Sequence, residues 1–216
     1  MRYNCIGDLW KEVIIVTKAE IANKVIEESD GIASTSAFID AGLSKGDLCK
    51  LVADDRIVRI QHGFYRLSGD WNVTEAEYLS KLFPEAIVCV ESALFHYGYI
   101  DFVPRRWTVA VPRMESQTKI KNSSVPIKAY YIQPDEYDIG KTKDSFDGKM
   151  LSIYDRERTV CDCFKYRSKL DEELFAKALN AYANDNQKNL ANLSKYSKQL
   201  RVYKKVFEIM GVLLNA

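Results

Sequence analysis

Between Thr17 and Leu67 the chain carries a run of start and stop signals whose order constrains its fold more than any other feature. Thr17-Lys18-Ala19-Glu20 has the form of a capping box, a hydroxyl followed three positions later by a carboxylate. The helix it opens places Ala22, Val25, Ile26 and Ser29 on one face and stops at Asp30-Gly31. Ser34-Thr35-Ser36 offers N-caps for a very short helix through Asp40. Ala41-Gly42-Leu43-Ser44 is a tight turn in which Gly42 can take positive φ at no steric cost. Ser44 caps the next helix, and Asp47 in its first turn suits the helix dipole. That helix is expected to bury Leu48, Leu51 and Val52 and to expose Lys45, Asp47, Cys49 and Lys50. Two β-prone runs, 56–60 and 64–67, flank Gln61-His62-Gly63 and read as a hairpin.

Helix, short helix, tight turn, helix and two-stranded wing, in that order, predict a winged helix-turn-helix. In such a fold the first short helix braces the second, whose N-terminal end enters a major groove. The residues expected to face DNA are Thr35, Ser36, Ser44, Lys45 and Lys50 on the helices, with Arg56, Arg59, Gln61, His62 and Arg66 on the wing. Charge narrows this surface. Residues 1–67 hold nine basic and ten acidic side chains, but from Lys45 to Leu67 there are five basic and three acidic. The bland alternative is a small helical bundle capped by a hairpin.

Composition excludes little else. The chain has 216 residues, 47% of them apolar, 28% charged, and a formal net charge of +1. No apolar run is long enough to cross a bilayer, so no membrane is expected as a partner. The start of the chain lacks the apolar core and cleavage site of a signal peptide. Cys5, Cys49, Cys89, Cys161 and Cys163 are odd in number and scattered, which suits a reducing cytoplasm. Ile6, Leu9, Trp10, Val13 and Val16 recur at helical spacing ahead of the capping box.

Ser68-Gly69-Asp70-Trp71-Asn72 is the best boundary, dividing a domain over 1–69 from a second over 70–216. Thr74-Glu75-Ala76-Glu77 is another capping box, and its helix ends at Phe83-Pro84. Strands are expected over 86–90, 106–111, 127–132 and 149–153. Ser92 is expected to cap a short helix closed by Gly98, and 114–125 to form an exposed polar loop. Helices follow over 156–167, 172–183, 190–198 and 202–214. The whole reads as α+β: an N-terminal winged helix-turn-helix, then a mixed α/β domain ending in several helices. Lys188, Lys195, Lys198, Arg201, Lys204 and Lys205 stand in a stretch without acids, either a second basic surface or a solvated face.

Motifs for catalysis or metal binding are weak. Cys161 and Cys163 lack the spacing of a zinc pair and have no histidine near them, so neither a metal nor another cofactor is expected. Gly140-Lys141-Thr142 resembles the end of a phosphate-binding loop, but the required upstream glycine is Asp135, and the segment reads as a loop. Ser92 and His96 could share a helix face, although an N-cap serine and a packed histidine explain them more simply. Asp155, Glu157 and Asp162 could be drawn as nuclease ligands, but salt bridges with Arg156 and Arg158 at a helix start are the simpler reading. No catalytic residue is assigned.

Three stretches together resemble the AbiEi family, the antitoxins of bacterial type IV (AbiE-type) toxin–antitoxin systems. They are Gly63-Phe64-Tyr65-Arg66-Leu67; Val90-Glu91-Ser92-Ala93-Leu94-Phe95-His96-Tyr97-Gly98-Tyr99; and 154–162, with Arg156-Glu157-Arg158-Thr159 at its centre, followed by Ala178-Leu179-Asn180-Ala181-Tyr182. Tyr99 stands where the pattern has a leucine. The resemblance spans nearly the whole chain. It implies a cytoplasmic, non-enzymatic repressor that binds double-stranded operator DNA of its own operon. It also implies that the second domain counters a co-encoded nucleotidyltransferase toxin without forming a tight complex. The alternatives left open are a nucleic-acid enzyme, in which a nuclease-like second domain is targeted by the winged helix, and a scaffold whose basic helices dock an acidic partner.

Overall fold

The structure, a computed structural model, describes residues 17–69 and 73–214. The apolar stripe from Ile6 to Val16, the thiol of Cys5 and the Asp70-Trp71-Asn72 part of the expected linker lie outside the described residues. The chain is α+β and divides into two compact units, Met1–Trp71 and Asn72–Ala216.

In the N-terminal unit the elements run α1 (Lys18–Glu28), β1 (Ala33–Ser34), α2 (Thr35–Asp40), α3 (Lys45–Ala53), β2 (Ile57–Gln61) and β3 (Phe64–Leu67). Two of the three expected helix starts form capping boxes. Thr17 and Glu20 close one, Ser44 and Asp47 the other, so each helix start satisfies amide groups that have no partner inside the helix. Asp30 and Gly31, at φ +53 and +84, end α1, and Gly42 at φ +91 makes the turn between α2 and α3. Val25 and Ile26 of α1, Phe38 of α2, Leu48 and Leu51 of α3 and Ile57 of β2 form the core.

The structure corrects three local expectations here. Ser34 alone caps α2, and with Ala33 it adds a third strand that pairs with β3. Two residues carry too little pattern to announce a strand. Val52 is 38% exposed, because a helix as short as α3 buries only the stripe through Leu48 and Leu51. The hairpin loop is shorter than expected: Gln61 pairs with Phe64, and a bulge between Arg59 and Gln61 absorbs the odd residue.

The C-terminal unit opens with α4 (Glu75–Leu82), capped by the Thr74–Glu77 box. Then come β4 (Ile87–Val88), α5 (Val90–His96), β5 (Trp107–Pro112), α6 (Gln117–Lys121), β6 (Ile127–Ile132), α7 (Pro134–Tyr137), β7 (Lys141–Phe146) and β8 (Lys149–Tyr154). The sheet order is β6-β5-β4-β8-β7. Strand β4 runs antiparallel to β5 and parallel to β8, while β5 runs parallel to β6. Helices α8 (Arg156–Lys165), α9 (Glu172–Ala183), α10 (Leu190–Gln199) and α11 (Tyr203–Leu213) follow, and their apolar faces join the sheet in one core.

Several expectations fail in this unit. The strand over 86–90 shrinks to two residues because Val90 turns the chain at φ +43 directly into α5. Ser92 is not the N-cap: Cys89 is, without a side-chain bond. Ser92 instead exchanges bonds with β5, its amide donating to Thr108 Oγ1 and its Oγ accepting from the Thr108 amide. The segment 114–125 contains α6, whose Ile120 is buried along with Val125 just after it. Lys141 and Thr142 begin β7, a polar strand at the sheet edge. Its alternating charges give no hydrophobic signal, and a charged edge discourages pairing with other chains.

Helix α8 organises this unit. Arg158 is fully buried, as is Asp162, and Arg158 Nε donates to Asp162 Oδ1 at 3.0 Å. Its Nη1 donates to the carbonyls of Glu136 (2.6 Å) and Ile139 (3.0 Å), fixing the chain between β6 and β7. The guanidinium lies over the Tyr154 ring at 4.1 Å. Gly140 passes so close that a Cβ there would meet Arg158 Cβ at 2.5 Å and Asp155 Oδ1 at 2.9 Å, and its φ is +71. Burial disfavours the Arg158 charge, but the adjacent Asp162 carboxylate outweighs it and holds the guanidinium protonated.

Arg158→Met strands Asp162 in the core and is expected to cost about 3–5 kcal/mol in chemical denaturation followed on the C-terminal unit. Gly140→Ala, which meets both a clash and a left-handed backbone, is expected to cost more than about 1 kcal/mol. Wild-type stability in either variant would remove α8 from the centre of the unit.

Candidate nucleic-acid interface

Helix α3 supports the surface that the sequence singles out. Leu48 and Leu51 anchor one side of it, leaving Lys45, Cys49 and Val52 as an outward stripe, with Gly46 and Lys50 also exposed. A Cβ at Gly46 would have Ser44 Oγ as its nearest neighbour, at 3.7 Å, so the backbone here is open to close approach. Asp47 is not exposed as expected. It accepts from the Ser44 amide (3.0 Å) and hydroxyl (2.7 Å), and its other oxygen takes the Lys18 ammonium at 2.6 Å. The Lys18 bond, then those to Ser44, hold its carboxyl well below the usual carboxylate range. The acid nearest the helix start is therefore already neutralised by α1.

Thr35 and Ser36 open α2. The Thr35 amide donates to Gly63 O at 2.8 Å, and its hydroxyl reaches the same oxygen at 3.3 Å. That bond ties the start of α2 to the hairpin turn, so Thr35 positions the turn rather than standing free. Ser36 is exposed and shares a 2.7 Å hydroxyl contact with Ser34. Ser44 is the N-cap of α3, and its hydroxyl is committed to Asp47.

The hairpin divides its cations. Residues directly opposed across an antiparallel pair share a face. Arg59 opposes Tyr65, whose ring packs edge-on against Phe38 at 5.8 Å, whereas Arg66 opposes Val58 on the other face. Arg66 Nη1 also donates to Leu67 O at 2.8 Å. Arg56, Arg59 and His62 are exposed, and Gln61 is half-buried at the turn. Among the described residues Lys45, Lys50, Arg56 and Arg59 form no ion pair. The sequence treats the hairpin cations as one set; the register, which sequence alone leaves open, separates Arg66 from Arg59.

The second basic group occupies α10, the link after it and the start of α11. Lys195, Lys198, Arg201, Lys204 and Lys205 are exposed, with Lys198 over the Tyr203 ring at 5.0 Å. Lys188 differs: half-buried, it donates to Asp185 O at 3.1 Å and closes its own turn.

The acids that the sequence allows as metal ligands all have structural partners. Asp155 caps α8, accepting from the Arg158 amide at 2.8 Å. Glu157 accepts from the Tyr182 hydroxyl (3.1 Å) and the Asn189 amide (2.7 Å), joining α8 to α9 and α10. Asp162 holds Arg158. Ser92 and His96 also have separate partners: Ser92 bonds Thr108, while His96 Nε2 bonds Asp144 at 2.9 Å.

No family model and no curated protein matches the chain. Among solved structures, the RV2827C protein from Mycobacterium tuberculosis is similar in fold. It is 11% identical, with 90% of this chain and 75% of that chain aligned at a TM-score of 0.58. Among the described residues no helix is long and apolar enough to cross a membrane.

Asp47 gives this surface a pH signature. Its folded pKa lies below the ordinary 3.8, so its stabilisation is present above that pH and is lost as pH falls through the lowered value. Asp47→Asn should melt below wild type at pH 7, and the gap should close as pH drops below 3.8. Ser44→Ala should cost about 1 kcal/mol at neutral pH. A gap for Asp47→Asn that stays constant across the acid range would contradict the Lys18–Asp47–Ser44 arrangement.

Proposed function

We propose that the N-terminal unit is a winged helix-turn-helix that binds double-stranded operator DNA, with α3 as the recognition helix and the β2–β3 hairpin as the wing. The observation that carries this reading is the outward face of α3. It presents Lys45 and Lys50, without ion-pair partners among the described residues, around an open Gly46, with Asp47 neutralised by Lys18. A helix of this kind can lay its first turns against base edges while its lysines take phosphates. Arg56 and Arg59 extend the cation strip along the wing, and Thr35 fixes the wing turn to α2.

In this reading the chain is a cytoplasmic autorepressor and antitoxin of the AbiEi type, and it is not an enzyme. It represses its own operon and counters a co-encoded nucleotidyltransferase toxin without a tight complex between them. Support for the family comes from the three segments quoted above, and the RV2827C likeness adds only a shared fold. The Arg156-Glu157-Arg158-Thr159 segment has a physical role consistent with the reading, since all four side chains hold the C-terminal unit together.

The test is a gel shift with the DNA upstream of the protein's own gene, challenged with unrelated duplex. Wild type is expected to retain the upstream fragment at an excess of competitor that removes nonspecific binding. Lys45→Ala, Lys50→Ala and Arg59→Ala together are expected to weaken it at least about 100-fold, roughly 3 kcal/mol. Undiminished binding by the triple variant would place the DNA surface elsewhere, and no preference for the upstream fragment would overturn autorepression.

A further inference from the structure

The C-terminal unit holds a cleft of about 440 Å³ that the proposed repressor function does not use. Its walls are aromatic. His96 stacks on Phe146 with centroids 4.3 Å apart, and Trp107 leans on the same ring at 5.6 Å. Polar bonds fix the two heteroaromatic rings. Trp107 Nε1 donates to Glu75 at 2.7 Å, and His96 Nε2 donates to Asp144, whose carboxyl that bond holds below its usual range. Phe95 and Val103 line the cleft and are themselves exposed, at 39% and 71%. A preformed, solvent-open aromatic wall of this size is the kind of surface on which a planar ring stacks.

A second hollow of about 280 Å³ adjoins it and shares Pro104 and Arg106 with it. This one is lined by charge: Arg105, Arg106, Lys128, Glu91 and Asp171. Arg105 and Arg106 are exposed and make no ion pair among the described residues. Lys128 is bound to Glu91 Oε1 at 2.6 Å, but the other carboxylate oxygen, Oε2, is buried without a hydrogen-bond partner among the described residues. Lys128 is thus committed to Glu91, and Arg105 and Arg106 are the cations of this hollow outside any ion pair among the described residues.

We propose that the aromatic cleft and the arginines at its edge form one site for a nucleotide. The base stacks on the wall of His96, Trp107 and Phe146, and the phosphate lies on Arg105 and Arg106. Each part of such a ligand answers a feature that the other part cannot. An aromatic ring alone leaves the arginines unmet, and a free phosphate makes no use of the aromatic wall. Arginine forks suit phosphate oxygens.

The experiment is isothermal titration of the full-length protein with AMP, GMP, CMP and UMP, and with adenosine and inorganic phosphate as fragments. At least one monophosphate is expected to bind saturably, at least about tenfold tighter than either fragment. Arg106→Glu, at an exposed position, should weaken it at least about tenfold, and Trp107→Ala should act likewise. Thermal melts of each variant establish that it is folded. Saturable heat from none of the four, phosphate binding as tight as the nucleotide, or affinity unchanged by Arg106→Glu in a folded protein would each overturn the site.

Discussion

Arg158 carries a full positive charge where no water reaches it, and the C-terminal unit is arranged to make that tolerable. A bare guanidinium in a protein interior is costly, and a carboxylate beside it with further acceptors offsets part of that cost; Nη2 and Asp162 Oδ2 stay buried without a hydrogen-bond partner among the described residues. Asp162, one turn along the same helix, supplies the opposing charge. The Glu136 and Ile139 carbonyls accept from Nη1, and the Tyr154 ring covers the face of the cation. Because those carbonyls belong to the link between β6 and β7, the same bonds set where the β7–β8 hairpin begins. Gly140 must lack a side chain for that link to pass, and the Asp155 amide donates to its carbonyl at 2.7 Å.

The neighbours of Arg158 extend this framework outward. Arg156 bonds Asp185 and lies over the Tyr97 ring, Glu157 gathers Tyr182 and Asn189, and Thr159 bonds back to the Tyr154 carbonyl. Four consecutive side chains thus connect α8 to the last strand, to the end of α5, to α9 and to the start of α10. A polar segment on an amphipathic helix would ordinarily face solvent. Here it is the most buried polar stretch of the unit, which places α8 at its centre and leaves the aromatic cleft on α5, β5 and β7 to a separate wall.

Much of the fold was legible because the chain marks its helices strongly. Thr17–Glu20, Ser44–Asp47 and Thr74–Glu77 each act through bonds between residues three apart, which any sequence displays. Strands β5 and β6 were legible as apolar runs of ordinary length. What was hidden depends on contacts distant in sequence. Strand β1 exists because Ala33 and Ser34 meet β3, and β7 pairs with β8 despite an alternation of lysine, aspartate and hydroxyl that reads as loop. Ser92 looked like a cap because its local neighbours allow it, but Thr108, sixteen residues away, claims it. The same holds for the candidate interface. The lysines of α3 could be named from helical spacing, whereas the separation of Arg59 from Arg66 required the hairpin register.

The N-terminal unit has little net charge to spend, so its proposed affinity for DNA rests on position rather than quantity. Asp47 is neutralised internally, and Lys45, Lys50, Arg56 and Arg59 are outside any ion pair among the described residues. In the proposed reading these four exposed cations are the ones available to phosphates. The dependence of binding on salt measures such a strip directly, because each neutralised phosphate releases counterion. For wild type on its own upstream DNA, the slope of log K against log salt should be about −3 to −4, and it should become shallower by nearly one unit for each lysine or arginine of the strip replaced by alanine. A slope near zero, or one that the Lys45, Lys50 and Arg59 replacements leave unchanged, would contradict the assignment of DNA binding to this surface.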